Sequence, residues 1–346
     1  MIPEAKKDRP DPILLLERLT TPWQTDDPFL FCVHHLDHYP AGNAQLGPAA
    51  PLGGRRIGMD FDGRDGWNMY HGEIVPGFPQ HPHRGFETVT VTRQGLVDHA
   101  DSLGAGARYG EGDVQWLTAG KGIVHAEMFP LLSAEAPNPL ELFQIWLNLP
   151  MARKMVAPYF SMFWAPTVPR VVVKDAAGRI TEVVVVAGRF GEVAPPSPPP
   201  DSWASQEGAE VGIWTLKLEP GARFELPATA PGANRSLYYF AGGGLRLDGR
   251  ELPLKHRARL RAGQSVTLEA GEATAECLVL QGHPIGEPTV QYGPFVMNSR
   301  EEIARAFEDY RATGFGGWPW DRDDPIHGEA RERFARHPDG REERPA

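Results

Sequence analysis

Two short spacings hold the side chains best suited to bind a metal: His81-Pro82-His83 and His125-Ala126-Glu127. Residues two apart on a strand point to the same face, so each pair can present two donors, one pleat apart, to a common interior. Carried on neighbouring strands, the pairs would bring three imidazole nitrogens and one carboxylate oxygen toward a single point. Such a set suits one mononuclear divalent transition metal: iron, manganese, cobalt, nickel, copper or zinc. Four ligands on a six-coordinate ion leave two adjacent positions, enough for a bidentate substrate or for a substrate and dioxygen. A lone H-x-H or H-x-E is a weak pattern. Here Pro82, Arg84-Gly85 and the run Thr118-Ala119-Gly120-Lys121-Gly122 add tight turns beside each pair.

The elements that must position these pairs read as strands. Thr88, Thr90 and Thr92 alternate with Val89 and Val91, the period-two pattern of a half-buried strand. Gln94-Gly95, Gly104-Ala105-Gly106 and Glu111-Gly112-Asp113 punctuate the strands that follow. Leu142–Leu149, closed by Pro150, reads as a buried strand, and Ile13–Leu19 and Phe29–Val33 as earlier ones. Ala41–Gly63 reads as a loop with a short strand inside it. Ala194–Asp201 is a proline-rich extended segment and a candidate boundary. A second strand series follows from Val211–Leu218 through Ala275–Leu280. Two successive strand-rich blocks of similar size suggest a duplicated β-barrel. One helix is expected late, where Ser299 and Glu302 form a capping box, Ile303, Ala306, Phe307 and Tyr310 recur at helical spacing, and Gly314 ends the run.

Composition narrows the classes. The 346 residues suit about two domains, and an apolar share of 41% is enough for ordinary cores. Gly 38 and Pro 34, without a collagen period, point to many turns and hence to an all-β chain. The net charge of -10 argues against direct nucleic-acid binding, which draws its affinity from phosphate neutralisation. Met1–Pro12 is charged and lacks a signal-peptide core, and no apolar run is long enough to span a bilayer. Cys32 and Cys277 read as two buried free thiols. The cytoplasm is the expected compartment.

Longer motifs surround the two pairs. His81-Pro82-His83-Arg84-Gly85-Phe86-Glu87-Thr88-Val89 resembles the first signature of the pirin family, and the segment from Gly112 through Thr118-Ala119-Gly120-Lys121-Gly122 to His125-Ala126-Glu127-Met128 resembles the second. Ile145-Trp146-Leu147-Asn148-Leu149-Pro150, Pro284-Ile285-Gly286-Glu287-Pro288, Tyr292-Gly293-Pro294-Phe295-Val296-Met297-Asn298 and Phe315-Gly316-Gly317-Trp318-Pro319-Trp320 are similar to later family motifs. The likeness is clear over Trp67–Pro150 and Gly282–Trp320, and weak between them. It implies an all-β bicupin: two stacked antiparallel β-barrels of the jelly-roll, cupin type with a short C-terminal helix. It further implies an N-terminal metal-binding cupin, placed over 1–185, and a C-terminal cupin without metal, placed over 186–320; residues 321–346, charged and sparse in apolar side chains, fall beyond the likeness and are expected to form a flexible tail.

The resemblance places the metal on His81, His83, His125 and Glu127, with iron foremost among the candidate ions. Cupins in general take their carboxylate from a glutamate shortly after the H-x-H pair, here Glu87. Pirins take it from the H-x-E pair, which leaves Glu87 a supporting role. His34, His35, His38 and His71 read as structural or as pocket wall, and His256 and His283 as structural or exposed. Arg84 is expected to pair with a carboxylate or to cap backbone oxygens. Phe86, Trp116 and Phe143 could line a pocket or serve the core. The implied activity is that of a quercetin 2,3-dioxygenase-type oxidoreductase, opening a flavonol ring with O2, with Glu127 as base. The implied partners are thus a small aromatic substrate and O2, for a monomer touching neither membrane nor nucleic acid. The family implies one alternative of another class: a redox-sensing iron protein that binds a transcription factor or metabolic enzyme without turnover.

Overall fold

The computed structural model describes residues 10–346; the first nine residues of the charged start lie outside it. Nearly all regular structure is antiparallel strand, in keeping with the turn-rich composition, and it forms two units, each built on a pair of larger sheets, with a two-stranded sheet added in one of them. The units alternate along the chain. One, here the histidine unit, comprises 29–168, 196–205 and 285–346. The second comprises the described residues up to 28 with 169–195 and 206–284.

The single cut expected at 185 is therefore corrected. Residue 185 lies inside the strand Ile180–Ala187, which is hydrogen-bonded on one side to Arg170–Lys174 and on the other to Gly212–Leu218. The first strand, Ile13–Arg18, pairs with His256–Leu260 and so belongs to the second unit. Residues beyond 284 return to the histidine unit. Sequence order hides this because strand pairing is set by register between remote segments, not by proximity along the chain.

In the histidine unit a five-stranded sheet runs in the order Tyr159–Phe163, Val114–Thr118, Phe86–Gln94, Asn138–Asn148, Phe29–Tyr39. A six-stranded sheet faces it, in the order Glu342–Glu343, Phe334–Arg336, Gly106–Gly110, Leu96–Asp101, Ile123–Met128, Gly77–His83. Tyr39, Leu117, Leu140 and Leu142 from the first sheet meet Val97, Ala107, Tyr109 and Ile123 from the second in one core. The Phe86–Gln94 strand is central and buried on both faces over most of its length, not half-buried as its alternation suggests. The tail is not loose. Phe334–Arg336 pairs with Gly106–Gly110, Ala335 enters the core, and Arg333 Nη1 donates to Asp113 Oδ1 at 2.8 Å. Arg108, fully buried against Asp98 through two contacts of 2.6 Å, also donates to the carbonyl of Gly328.

The helix Arg300–Thr313 begins with the expected capping box. Ser299 Oγ accepts from the Glu302 N–H, the Glu302 carboxylate accepts from the Ser299 N–H, and Gly314 closes the helix with φ 54°. In the second unit a seven-stranded sheet centred on Asn234–Gly242 and Ala275–Gly282 packs on a four-stranded sheet. Its core joins Trp214, Leu216, Leu237 and Val279 to Phe224, Leu247 and Leu268. Cys32 and Cys277 are free and buried, and burial raises both thiol pKa values. No helix among the described residues is long and apolar enough to cross a membrane.

Candidate metal centre

Three adjacent strands of the six-stranded sheet build the centre. His81 and His83 occupy the end of Gly77–His83, and His125 and Glu127 lie on Ile123–Met128. In the pairing of these strands His81 stands directly opposite His125, and a register shift between Phe78 and His81 brings the two dyads level. Backbone turns fix the approach. Gly85, just after His83, has φ 85°, and a Cβ there would lie 1.9 Å from the Val296 carbonyl oxygen. Gly122, just before the His125 strand, has φ 133°, and a Cβ there would lie within 2.8 Å of three atoms of the Phe315 ring.

One ligand atom from each of His81, His83 and His125 lies within 4.8 Å of the others. The ring centroids are 4.4 Å apart for His81–His125, 4.8 Å for His81–His83 and 4.9 Å for His83–His125. His81 Nδ1 lies 2.8 Å from the Pro79 carbonyl, so that nitrogen carries the proton and Nε2 keeps its lone pair. Nδ1 of His83 and both ring nitrogens of His125 are buried without a hydrogen-bond partner. Buried polar atoms are normally satisfied, and one nitrogen from each of the three rings is near enough to the others for a single metal to satisfy it. Burial, reinforced by the neighbouring rings, lowers the His81 pKa to about 4 and holds His83 and His125 well below the usual range. All three are therefore neutral near pH 7, the state a metal needs. The cluster fits a single divalent transition-metal site.

Glu127 Oε2 lies 3.9 Å from His125 Nε2, at the side of the cluster. Its carboxylate is held by residues that the spacing of the two dyads does not point to. Gln144 Nε2 donates to Oε2 at 3.0 Å, the Tyr109 hydroxyl donates to Oε1 at 3.4 Å, and Thr90 Oγ1 lies 3.1 Å from Oε1 and 2.6 Å from Gln144 Oε1. Burial raises the Glu127 pKa against these hydrogen bonds, which lower it. A third dyad, His99-Ala100-Asp101, stands across the sheet, with His99 opposite Glu127 and Asp101 opposite His125. The His99 ring is 5.6 Å from that of His125, and its Nδ1 is buried without a partner. The i, i+2 spacing that marks the other two dyads was present here too.

Glu87 takes no part in the cluster. Alternation turns Phe86, Thr88 and Thr90 toward the centre and Glu87 away. The Glu87 carboxylate accepts from Thr118 Oγ1 at 2.8 Å and Ser202 Oγ at 2.5 Å, and burial pushes its pKa up to about 7. Ser202, which directly follows the proline-rich segment Ala194–Asp201, thus anchors a buried carboxylate. His34 pairs with Glu141 at 2.9 Å, His35 Nδ1 lies 2.8 Å from the Tyr70 hydroxyl, and His71 Nδ1 lies 2.8 Å from the Gly58 carbonyl. Arg84 does both things expected of it, donating to the Lys121 carbonyl at 2.6 Å and to Asp309 at 2.7 Å. Phe86 and Trp146 wall the centre, with ring centroids 5.0 and 5.3 Å from that of His83. Trp116 and Phe143 lie elsewhere, against Phe163 and His34.

The comparison with known proteins decides the family. The pirin family model matches residues 57–147, and the model of the pirin C-terminal cupin domain matches residues 213–316. The human protein named pirin is 34% identical over 259 residues, covering 71% of this chain and 80% of that one. The chain belongs to the pirin family. A Pseudomonas aeruginosa member named "Putative quercetin 2,3-dioxygenase" is 39% identical over 241 residues, covering 69% of this chain and 79% of its own. The crystal structure of a quercetin 2,3-dioxygenase from Acinetobacter baumannii superposes with a TM-score of 0.69 at 26% identity, covering 88% of this chain and 98% of that one. Family membership accounts for the bicupin architecture.

Proposed function

We propose that this pirin-family protein is a metal-dependent dioxygenase that opens the ring of a flavonol of the quercetin type with O2. The observation that carries the reading is the carboxylate of Glu127, buried beside three neutral imidazoles and gripped by Gln144, Tyr109 and Thr90. His81, His83, His125 and Glu127 would hold one divalent ion, iron foremost. That ion, when bound, would acidify a coordinated hydroxyl and supply the electron transfer that dioxygen needs.

The chain's own groups do the rest. Glu127 takes the proton of the flavonol 3-hydroxyl, since a carboxylate is the base within reach. Gln144 holds Oε2, and Thr90 and Tyr109 hold Oε1, so the carboxylate keeps one orientation for that proton transfer. Phe86 and Trp146, 4.3 Å apart between centroids, offer flat apolar surface to an aromatic ring and keep water from it.

The test is direct. The protein is loaded with iron under anaerobic conditions, oxygen is admitted, and flavonol absorbance is followed for the wild type, His83→Ala and Glu127→Ala. Turnover by the loaded wild type and its loss in both variants is expected. An inert loaded wild type would sink the reading.

A further inference from the structure

The second unit buries a positive charge that the chain does not answer. Arg235 lies on the Asn234–Gly242 strand and is 2% exposed. Alternation puts it on the face of Leu237 and Tyr239, which line the core between the two sheets. Nε, Nη1 and Nη2 all lack a hydrogen-bond partner. Burial alone pushes its pKa down, to about 10, with no neighbouring charge acting on it, so it remains cationic near pH 7. Other buried cations are treated differently. Arg108 is paired with Asp98, Arg55 with Asp60 at 2.8 Å, and Arg257, on the next strand, with Glu17 at 2.9 Å. An unpaired buried charge is strongly unfavourable unless something compensates it.

The polar atoms beside Arg235 on the neighbouring strands are incompletely paired as well. Gln281 is the direct cross-strand partner of Arg235, is 5% exposed, and has an unpartnered Oε1. Its Nε2 donates to Thr229 Oγ1 at 3.3 Å. The next residue in the row is Gly212, where a Cβ would come within 2.9 Å of Gln281 Cγ and 3.1 Å of Nε2. A guanidinium fork, an amide and an omitted side chain therefore share one end of the core. Amide oxygen and nitrogen exchange by a half-turn of the side chain. After that turn Gln281 donates where Oε1 now points, and its oxygen faces Thr229 Oγ1, which donates at present to Glu210 Oε2 at 3.4 Å.

We infer that this corner binds a small oxyanion, a carboxylate or phosphate, through the fork of Arg235 with Gln281 as second donor. Two oxygens of such an anion match the two parallel N–H groups of a guanidinium. Loop 227–233, which carries Thr229 and is largely exposed, is the segment an entering anion displaces. The site is separate from the histidine cluster and does not depend on the flavonol reading.

The iron-loaded full chain is titrated calorimetrically with sodium phosphate and, separately, sodium acetate, with ionic strength held constant by sodium chloride. Thermal unfolding is recorded at each concentration. Saturable binding of at least one anion, with a rising unfolding temperature, is expected, and the two arms tell phosphate from carboxylate. Arg235→Met should abolish binding, leave iron content unchanged, and unfold no earlier than the anion-free wild type. Arg235→Lys keeps the charge and loses the fork, so its affinity should fall about tenfold or more; this variant decides the matter if Arg235→Met does not fold. Absence of saturable binding of either anion by the wild type, or equal affinity in the wild type and Arg235→Lys, would overturn the inference.

Discussion

Thr90→Val tests whether the grip on Glu127 matters to the reaction. The substitution replaces a buried hydroxyl, 3.1 Å from Glu127 Oε1 and 2.6 Å from Gln144 Oε1, with a methyl of nearly the same volume. Oε1 is left with the Tyr109 hydroxyl at 3.4 Å, a long contact, and the Gln144 amide loses the group that fixes its rotation. A hydrogen bond to a charged group contributes roughly 1.5–3 kcal/mol. If that interaction holds the carboxylate in its working orientation, its loss lowers flavonol turnover by about 10- to 150-fold at 1.36 kcal/mol per decade. Partners of metal-site ligands elsewhere have effects of similar size, about 10- to 100-fold on affinity or activity. The assay is flavonol disappearance under oxygen, with bound iron measured on the same samples and Thr90→Ser as the variant that restores the hydroxyl. Thr90→Val turnover within about twofold of wild type at equal iron content would refute the reasoning, as would a loss that Thr90→Ser fails to recover.

Glu87 gives the chain a pH signature. Its folded pKa of about 7 lies above the ordinary 4.5, so between those values the unfolded state has released a proton that the folded state keeps. The stability contribution is fully present below about pH 4.5 and is lost as pH rises to about 7, by an amount on the order of 3 kcal/mol. Glu87→Gln should remove that slope, and urea unfolding of both proteins at pH 5 and pH 8 measures it; parallel losses in the two proteins would contradict the assignment. Arg108→Met leaves Asp98 buried without its guanidinium and should cost about 3–5 kcal/mol, whereas Arg108→Met with Asp98→Leu should cost less. Equal unfolding midpoints for the single and double variants would count against it. Ending the chain after Trp320 removes the strand paired with Gly106–Gly110 and the Arg333 partner of buried Asp113. A lower unfolding temperature and faster amide exchange at residues 106–110 are expected, and exchange as slow as in the full chain would argue against a structural role for the tail.

What the sequence made legible was local. His81 and His83, and His125 and Glu127, were readable because a period of two needs only a strand, and the flanking glycines marked where each strand begins. The helix was readable because its cap, its apolar spacing and its terminal glycine lie within 16 residues of one another. The groups around Glu127 were not readable. Thr90 and Gln144 reach it from the facing sheet, and their approach depends on how the two sheets pack. His99 is the instructive omission, since its own dyad was visible and only its alignment with Glu127 was hidden. The unit boundary failed for the same reason, because Ile13–Arg18 finds its partner in a strand that begins at His256.

The two units also show how one architecture carries different chemistry. In the histidine unit the inward positions of three neighbouring strands carry imidazoles and carboxylates, and unpartnered ring nitrogens fit a single metal site. In the second unit Trp214, Leu216, Leu237, Tyr239 and Val279 fill the core with apolar surface. The unpaired guanidinium of Arg235 departs from that economy at one end only. A buried cation adds nothing to an apolar core that a methionine could not supply, so its presence there is better explained by an anion than by folding.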